Sequence, residues 1–420
     1  MLIGVIADDF TGATDIAGFL VASGVSTTQL IGVPPADLHV DAEAVVISLK
    51  SRSCPADEAV GASMAALAWL QARDCPRIYQ KYCSTFDSSR TGNIGPVADA
   101  LLDGLKSDFT VVCPALPVNG RTIYNGYLFV NGVPLAESGM RDHPVTPMTD
   151  SSLVRLMEAQ SLGRCGVVNA DTVDKGVPAV RAALEKLRVE GRRYAVLDAL
   201  NAQHLDTLGA AVADMPLVTG GSGLAAGMAK AWRRRTQDPS RAAVAGAPVA
   251  GRGVVISGSA SQMTNAQVAE YRAQAPSFAV EPERCLADQT GYAAEIAEWV
   301  LAQPRYGFAP LVYATTNPEA LKRIQARFGN AASTAIETTF AALARTLAEA
   351  GVTRFIVAGG ETSGAVVQAL GVSGFHIGPQ IAPGVPWVRA VDKPYSLALK
   401  SGNFGDVGFF FDCQPEGVAR

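Results

Sequence analysis

Short apolar runs alternate with helical patterns along the chain, and this alternation constrains the fold more than any other feature of the sequence. Each run is followed by a turn and then by apolar residues at helical spacing. Strands separated by helices usually pair in parallel. We therefore predict an α/β fold with mostly parallel sheets flanked by helices. The runs cover residues 2–7, 44–49, 109–113, 194–197, 254–257, 311–314 and 355–358.

The length of the chain predicts two domains. Its 420 residues exceed one ordinary hydrophobic core, because a domain holds roughly 100–200 residues. Between residues 233 and 253, arginines give way to an Ala-, Gly- and Pro-rich stretch without helical periodicity, which is typical of a linker. We predict an N-terminal domain over residues 1–235, a linker over residues 236–251 and a C-terminal domain over residues 252–420, with a cleft between the domains.

Composition limits the partners and the compartment. A chain with 48% hydrophobic and 18% charged residues is globular, and a formal charge of -4 provides no general attraction for nucleic acid or anionic membranes. Seven scattered cysteines without metal-ligand spacing indicate reduced thiols in the cytoplasm. The first residues are typical of a core strand rather than a signal peptide, and no apolar run is long enough to span a bilayer. We expect small-molecule partners, and a homodimer is possible.

Glycine-rich loops follow three predicted strands in the C-terminal half, at residues 255–261, 359–364 and 399–405. The carboxyl ends of parallel strands meet at one edge, so these loops would form one polar cleft. Free N–H groups at the start of a helix bind phosphate. Thr362 and Ser363 are placed to cap the helix that follows the loop at residues 359–364. Two alternatives remain: such turns also occur where nothing binds, and Asn265 could simply cap a helix over residues 266–271.

The first predicted strand ends in Asp8 and Asp9, and a helical pattern then continues through Val21. A buried carboxylate is unfavourable unless it is paired, so two of them at a strand end indicate a ligand, a metal or a substrate hydroxyl. Helix capping by Asp9 or Thr11 is the alternative. Both can hold together, with one aspartate capping and the other taking part in catalysis.

Residues 81–96 are dense in hydroxyl groups and small side chains, interspersed with charged and amide residues. This mixture suits a small polyhydroxy acid, because cations bind its carboxylate while Asp and Asn bind its hydroxyls. A solvated loop is the alternative. Arg121 lies in a further Pro- and Gly-rich loop, and residues 127–134 predict a hairpin around Asn131-Gly132 that acts either as a lid or as a plain surface hairpin.

These motifs together resemble the four-carbon acid sugar kinase family over essentially the whole chain. The matching segments are residues 6–15, 81–96, 114–126, 219–223, 257–261, 358–364, 378–387 and 397–405. The resemblance implies an ATP-dependent kinase with a sugar-acid-binding N-terminal domain and a nucleotide-binding C-terminal domain. The γ-phosphoryl group would pass to the terminal O4 hydroxyl. No Walker-type GxxxxGK[ST] loop occurs, so glycine-rich backbone must hold ATP in a different way.

For such a phosphoryl transfer, we hypothesise roles for individual residues. Asp8 or Asp9 would bind the acceptor hydroxyl and take its proton, and Mg²⁺, held mostly by phosphates and water, would bridge the phosphates. Closure across the linker would bring the two halves together. The substrate-binding residues would be Thr11, Lys81, Ser84, Asp87, Arg90, Asn93 and Arg121. The nucleotide-binding residues would be Ser257, Gly258, Ser259, Gly359, Gly360, Glu361, Thr362, Ser363, Gly402 and Asn403.

One motif distinguishes branches of the family. Relatives acting on D-threonate or D-erythronate carry Asp-Ser-Thr-Leu-Arg-Gly-Asn, whereas this chain has Cys83-Ser-Thr-Phe-Asp-Ser-Ser-Arg-Thr-Gly-Asn93. The Cys-Ser-Thr-Phe-Asp-Ser form is that of the 3-oxo-tetronate branch, so 3-oxo-tetronate is the expected substrate and the other two acids are the alternative. Lys81, Arg90 and Arg121 are the three candidates for binding the carboxylate of the substrate.

Two other hypotheses are also open: a different class of enzyme and a non-catalytic binding protein. Residues 219–226 partly match the dinucleotide-binding loop of a nucleotide-dependent oxidoreductase, which should open a βαβ unit with an acidic residue about 20 positions later. Arg233–Arg235 and the predicted linker follow instead. Close packing between a helix and a strand explains those glycines equally well. A non-catalytic sugar-acid sensor would share the two-domain cleft, yet it would have little use for three glycine loops.

Overall fold

The computed structural model describes residues 1–143, 146–232, 239–315, 327–329, 331–400 and 402–414. The chain divides into two compact units, Met1–Ala242 and Ala243–Arg420. Residues 236–238 of the predicted linker lie outside the described residues. The rest of that stretch includes a short helix, Pro239–Ala242, and a 3₁₀ turn, Val244–Gly246.

The N-terminal unit is built on parallel strands. In hydrogen-bonded order they run β2-β3-β1-β4-β11-β5-β10-β9. The predicted runs at residues 2–7, 44–49, 109–113 and 194–197 are confirmed as β1, β3, β5 and β10. The bounds are β1 Ile3–Ala7, β2 Thr27–Ile31, β3 Ala44–Ser48, β4 Ile78–Lys81, β5 Thr110–Cys113, β9 Cys165–Val168, β10 Tyr194–Leu197 and β11 Leu217–Gly220.

Amphipathic helices connect these strands. The first, α1, buries Ala13, Ile16, Ala17 and Leu20 at helical spacing. The helices of this unit are α1 Phe10–Ala22, α2 Ala56–Gln71, α3 Ile94–Gly104, α4 Leu153–Gln160, α5 Ala170–Val173, α6 Val177–Val189, α7 Ala202–Val212, α8 Ser222–Trp232 and α9 Pro239–Ala242.

A separate three-stranded antiparallel sheet contains β6 Arg121–Tyr124, β7 Tyr127–Val130 and β8 Val133–Pro134. The predicted Asn131-Gly132 hairpin is confirmed, and both residues have positive φ, at 51° and 84°. Asparagine and glycine tolerate this conformation best, and it matches the twist of the flanking strands.

The C-terminal unit combines parallel and antiparallel pairing. Its strands run in the order β13-β14-β12-β15-β18-β17-β16, and only β16, β17 and β18 pair antiparallel among them. The predicted runs at residues 254–257, 311–314 and 355–358 are confirmed as β12, β14 and β15. The bounds are β12 Arg252–Ser257, β13 Ser277–Ala279, β14 Leu311–Tyr313, β15 Val352–Ala358, β16 Gly374–Ala382, β17 Val385–Ala390 and β18 Ser396–Lys400.

Helices cover this sheet, and a cluster of aromatic side chains fills part of its core. Tyr271 packs against Phe410 and Phe411, with ring centroids 5.6 and 4.8 Å away. Within the described residues, no helix of either unit has the length and apolar character of a membrane span. The helices are α10 Gln262–Arg272, α11 Pro282–Ala287, α12 Gln289–Ala302, α13 Ala331–Glu349, α14 Gly360–Leu370 and α15 Phe409–Asp412.

Candidate active site

Two carboxylates meet one guanidinium at the carboxyl end of β1. Arg52 donates from Nε to Asp8 Oδ2 and from Nη2 to Asp8 Oδ1, both at 2.9 Å. The same Nη2 lies 2.7 Å from Asp9 Oδ1. The backbone N–H groups of Ser51 and Arg52 also donate to the carbonyl oxygen of Asp8, at 2.9 and 3.1 Å. The loop after β3 is therefore held against the end of β1.

Asp9 has a structural role in addition to its charge. It is the N-cap of α1, and its Oδ1 accepts a hydrogen bond from the backbone N–H of Gly12 at 2.8 Å. Its Oδ2 accepts from the Thr11 hydroxyl at 2.8 Å. The capping alternative is thus realised by Asp9 and not by Thr11, which lies within the helix. The carboxylate of Asp8 is held by Arg52 instead.

The environment of Asp8 changes its proton affinity. Burial raises the pKa of the Asp8 carboxyl above its ordinary value of 3.8, although the charge and hydrogen bonds of Arg52 act in the opposite direction. The neighbouring negative charge of Asp9 also raises this pKa, and Lys81 lowers it. A carboxylate with a raised pKa is a stronger general base at neutral pH than an ordinary aspartate.

A buried lysine completes this group of charges. Lys81 ends β4, is 3% exposed, and donates from Nζ to the carbonyl oxygen of Tyr82 at 2.9 Å. A Cβ placed on Gly12 would lie 3.1 Å from Lys81 Nζ and 3.4 Å from Arg52 Nη2. Gly12 therefore lets the start of α1 approach both cations closely.

A third carboxylate, Asp15, faces the same lysine from α1. Burial raises the pKa of Asp15, and the charge of Lys81 and the hydroxyl of Ser222 oppose that shift. Ser222 donates to Asp15 Oδ2. The other oxygen, Oδ1, is buried without a hydrogen-bond partner in the described part of the chain. Lys81 is therefore close enough to both Asp8 and Asp15 for its charge to act on both carboxylates.

In the C-terminal unit, the three glycine loops come together as predicted, because β12, β15 and β18 are neighbours in the sheet. The backbone N–H of Gly258 donates to Ala358 O at 3.0 Å, and that of Gly359 donates to Lys400 O at 2.9 Å. The Ser261 hydroxyl donates to Gly402 O at 2.6 Å. One edge of the sheet therefore carries all three loops.

Glycine is required where the second loop enters α14. Gly359 has a φ of 127°, and a Cβ there would lie 2.9 Å from Thr362 Oγ1 and 3.2 Å from the backbone nitrogen of Ser259. Gly359 itself is the N-cap, and because it has no side chain it cannot accept a hydrogen bond from the first N–H groups of α14. The expectation that Thr362 and Ser363 cap the helix is wrong, because both lie buried in its first turn.

The neighbouring side chains leave room for an anion at this helix start. Gly360 and Glu361 are exposed, whereas the Ser363 hydroxyl is buried without a hydrogen-bond partner among the described residues. Ser257 Oγ forms a hydrogen bond with Thr315 Oγ1 at 2.6 Å, so the hydroxyl of this predicted nucleotide contact is already paired within the protein. The helix over residues 262–272 is capped by Ser261, so the alternative cap by Asn265 is also wrong.

Comparisons with known proteins match both units. The sequence model of a sugar-binding N-terminal domain matches residues 3–228, and that of a nucleotide-binding C-terminal domain matches residues 254–410. A 3-oxo-tetronate kinase of Brucella melitensis is 65% identical over 99% of this chain and 95% of its own. One of Salmonella typhimurium is 60% identical over 99% of both chains. The chain belongs to the four-carbon acid sugar kinase family.

Solved structures of similar chains support the same fold. A chain from Salmonella typhimurium LT2 superposes with a TM-score of 0.95 at 59% identity, covering 99% of each chain. One from Haemophilus influenzae has a TM-score of 0.89 at 55% identity, covering 98% of this chain and 99% of its own. The expected α/β fold of this kinase family is therefore confirmed.

Three charged or polar residues of the site were missed in the sequence of this family member: Arg52, Asp15 and Ser222. Arg52 had a usable signal, because it lies three residues after the apolar run 44–49, where polar residues of a parallel strand face the ligand edge. Ser222 lies in the glycine motif 219–226. A Cβ on Gly221 would lie 2.6 Å from Pro114 O, and one on Gly223 would lie 2.6 Å from Ala115 O. Those glycines therefore let the start of α8 pack closely against the residues that follow β5.

Some residues of the segment 81–96 belong to the charged site around Asp8, and others support it structurally. Asn93 is buried and donates to the carbonyl oxygens of Ser51 and Cys54, at 2.8 and 3.1 Å, so it braces the loop that carries Arg52. Thr85 donates to Asp87 Oδ1 at 2.6 Å and pairs with Cys83 Sγ at 2.9 Å. Burial raises the pKa of Cys83 to about 11, which keeps its thiol neutral. Ser84 is half-buried next to this pair.

The two predicted arginines lie in other places. Arg90 is exposed and lines a cavity of about 380 Å³ together with Asp150 and Arg155. Arg121 lies in β6 and donates from Nη1 to Asn119 O. Among the described hydrogen bonds and ion pairs, none links either arginine to Asp8 or Lys81. Of the predicted cations, Lys81 is therefore the one that the structure brings to the carboxylates.

Proposed function

We propose that this protein is an ATP-dependent kinase that phosphorylates the O4 hydroxyl of 3-oxo-tetronate. The observation that carries this proposal is the identity of 65% over nearly the full length to a protein named 3-oxo-tetronate kinase. The charged site around Asp8 lies within the range matched by the sugar-binding model. The glycine loops lie within the range matched by the nucleotide-binding model. The two ligands are thus assigned to different units.

In this proposal, Asp8 accepts the proton of the O4 hydroxyl as that oxygen attacks the γ-phosphorus. Arg52 orients the Asp8 carboxylate, and Lys81 supplies positive charge for the acid substrate. Asp9 shapes the site by capping α1. The other predicted substrate contacts stay proposals. They are Thr11, Ser84, Asp87, Arg90, Asn93 and Arg121.

The nucleotide would bind at the three loops of the C-terminal unit. Gly258, Gly359 and Gly402 let the loops approach one another closely, since a Cβ at each would lie within 3.0 Å of a neighbouring hydroxyl. The N–H groups at the start of α14, which lack intrahelical partners, suit phosphate oxygens. Ser259, Gly360, Glu361, Thr362, Ser363 and Asn403 complete the proposed set. Mg²⁺ would arrive with the phosphates and neutralise their charge. We propose a cytoplasmic location, where ATP is supplied, and a homodimer remains a prediction.

A coupled assay of ADP formation with a panel of four-carbon acids tests this function. We expect turnover with 3-oxo-tetronate that exceeds turnover with D-threonate and D-erythronate at least tenfold, and a ³¹P NMR signal of a phosphomonoester coupled to two methylene protons. Preferred turnover of D-threonate or D-erythronate would support the alternative kinase. Tight binding of an acid without any ADP formation would instead identify a sensor.

A further inference from the structure

One backbone oxygen in the third glycine loop accepts hydrogen bonds from two separate elements. The carbonyl oxygen of Gly402 accepts from Ser261 Oγ at 2.6 Å, from Thr264 Oγ1 at 2.7 Å and from Lys400 Nζ at 3.0 Å. Ser261 and Thr264 belong to the start of α10, and Lys400 is the last residue of β18. This oxygen therefore joins the first and third glycine loops.

Lys400 also reaches the second loop. Its carbonyl oxygen accepts from the backbone N–H of Gly359 at 2.9 Å, and its Nζ donates to Thr264 Oγ1 at 2.9 Å. Gly359 opens α14, and Thr264 lies in the first turn of α10. Backbone and side chain of one lysine thus contact the second and third loops and the helix that follows the first loop.

The rest of the third loop is held along the same face of α10. The Gln267 amide donates to the carbonyl oxygens of Phe404 and Asp406, at 3.1 and 2.7 Å. Ser261, Thr264 and Gln267 are spaced by three residues, so they line one side of the helix. A Cβ on Gly402 would lie 2.7 Å from Ser259 Oγ, which leaves the turn little room to shift.

Lysine is an unfavourable choice at this position unless its amino group is needed. Lys400 is 1% exposed, and burying an ammonium group is costly even when it is hydrogen-bonded. An apolar side chain of similar length would fill the space at a lower desolvation cost. The bonds of the amino group to Thr264 and Gly402 are contributions that an apolar side chain could not make.

We propose that Lys400 is a positioning residue for nucleotide binding, which sets the spacing of the three glycine loops through Gly402 and Thr264 without contacting the nucleotide itself. This inference rests on the proposed nucleotide site of the C-terminal unit. The ligand class is a magnesium-bound nucleoside di- or triphosphate, whose phosphates require backbone N–H groups at fixed separations. Displacing one loop would weaken several of those bonds together.

The test compares substitutions in the full-length chain. Lys400→Met removes the amino group while keeping the length of the side chain. Thr264→Val removes the hydroxyl that links Lys400 to Gly402, and Thr264→Ser restores it. Thr264 is 0% exposed, so its effect on a nucleotide is indirect. Binding of Mg·ADP is measured by calorimetry, and KM is measured separately for ATP and for 3-oxo-tetronate.

Arg354→Met is the matched control. Arg354 is a buried cation of the same sheet, 6% exposed, and it bonds Cys413 O at 2.7 Å. It pairs with Ser396 at the start of β18, whereas Lys400 pairs with Ala358 at the other end. This variant should lower thermal stability while leaving Kd for Mg·ADP within twofold of the wild type.

We expect Lys400→Met and Thr264→Val to raise Kd for Mg·ADP and KM for ATP at least tenfold, with KM for the acid changed less than twofold. Thr264→Ser should stay within threefold of the wild type. Unchanged nucleotide affinity in Lys400→Met, or an equal rise of both KM values, would overturn the inference. If Lys400→Met does not fold, the Thr264 pair decides. Failure of the wild type itself to bind Mg·ADP would instead refute the proposed nucleotide site.

Discussion

Arg52 holds Asp8 by two parallel hydrogen bonds of 2.9 Å, one to each carboxylate oxygen. A planar guanidinium fork matches the geometry of a carboxylate, so this pair fixes the plane of the Asp8 carboxyl group. Arg52 is in turn held by its own backbone bond to Asp8 and by the bracing of its loop by Asn93. The orientation of the proposed base therefore depends on a residue in another loop.

Arg52→Lys should lower kcat/KM for 3-oxo-tetronate by roughly 10- to 100-fold, because lysine keeps the charge but cannot form the bidentate pair. Steady-state kinetics measure this effect, and circular dichroism checks the fold. Arg188→Lys is the matched control. Arg188 forms a bidentate pair with Asp108 at 3.0 and 3.3 Å on the exposed surface, and its loss should leave kcat/KM unchanged. Equal effects of the two substitutions would contradict the role of Arg52.

Asp8→Asn should lower kcat by about 10²- to 10⁴-fold, which is the usual contribution of a general base. Activity requires the deprotonated carboxylate, so kcat/KM of the wild type should fall as the pH falls through the pKa of Asp8. Because burial raises that pKa, the acidic limb should lie above pH 3.8. The pH profile of the residual activity of Asp8→Asn should lack this acidic limb.

Asp9→Asn separates capping from catalysis. Asparagine caps a helix about as well as aspartate, so the stability of this variant should stay within about 0.5 kcal/mol of the wild type. We expect a smaller loss of kcat than in Asp8→Asn. Unchanged kcat/KM with 3-oxo-tetronate would remove Asp9 from the mechanism. A larger loss of kcat than in Asp8→Asn would indicate that Asp9, and not Asp8, is the general base.

Gly359→Ala should weaken binding of Mg·ADP at least tenfold, because its φ of 127° is strained for alanine and its Cβ would lie 3.2 Å from the nitrogen of Ser259. Gly371→Ala is the control at the other end of the same helix. Gly371 has a φ of 61°, and a Cβ added there would meet nothing within 4 Å. Both variants should lose stability in thermal unfolding, but a loss of nucleotide affinity in Gly371→Ala would show that strain alone is responsible.

The stability of the wild type relative to Lys400→Met should increase with pH. Burial lowers the pKa of Lys400 from 10.5 to about 8, so the folded protein releases this proton at a lower pH than the unfolded chain. The penalty for burying the charge is complete below pH 8 and is relieved as the pH rises toward 10.5. The expected gain between pH 7 and pH 10 is about 2–3 kcal/mol, since one pKa unit corresponds to about 1.4 kcal/mol.

Urea unfolding of both proteins at several pH values measures this difference. The other groups titrate in both chains and cancel in the comparison. Near Lys400, the Phe409 ring is uncharged, and burial raises the pKa of the Cys413 thiol well above its ordinary value of 9.0. A pH-independent difference would show that Lys400 titrates normally.

The elements that could be predicted are those whose signal is local. Apolar runs become strands, and the pair Asp8-Asp9 stands out because it directly follows one of them. Strand β2 was missed because Thr27, Thr28 and Gln29 are polar although they are buried. Gln29 accepts from Thr14 at 2.9 Å and donates to a backbone carbonyl oxygen, contacts that only the folded chain provides.

By itself, the sequence determined the alternation of strands and helices, the carboxylates at the end of β1 and the three glycine loops, because each is specified within a few consecutive residues. Only the tertiary structure decided that Arg52 meets Asp8 across 44 positions and that Lys400 meets Thr264 across 136. The physical reason is parallel pairing. It brings the carboxyl ends of distant strands to one edge of a sheet, and no local pattern specifies which ends become neighbours.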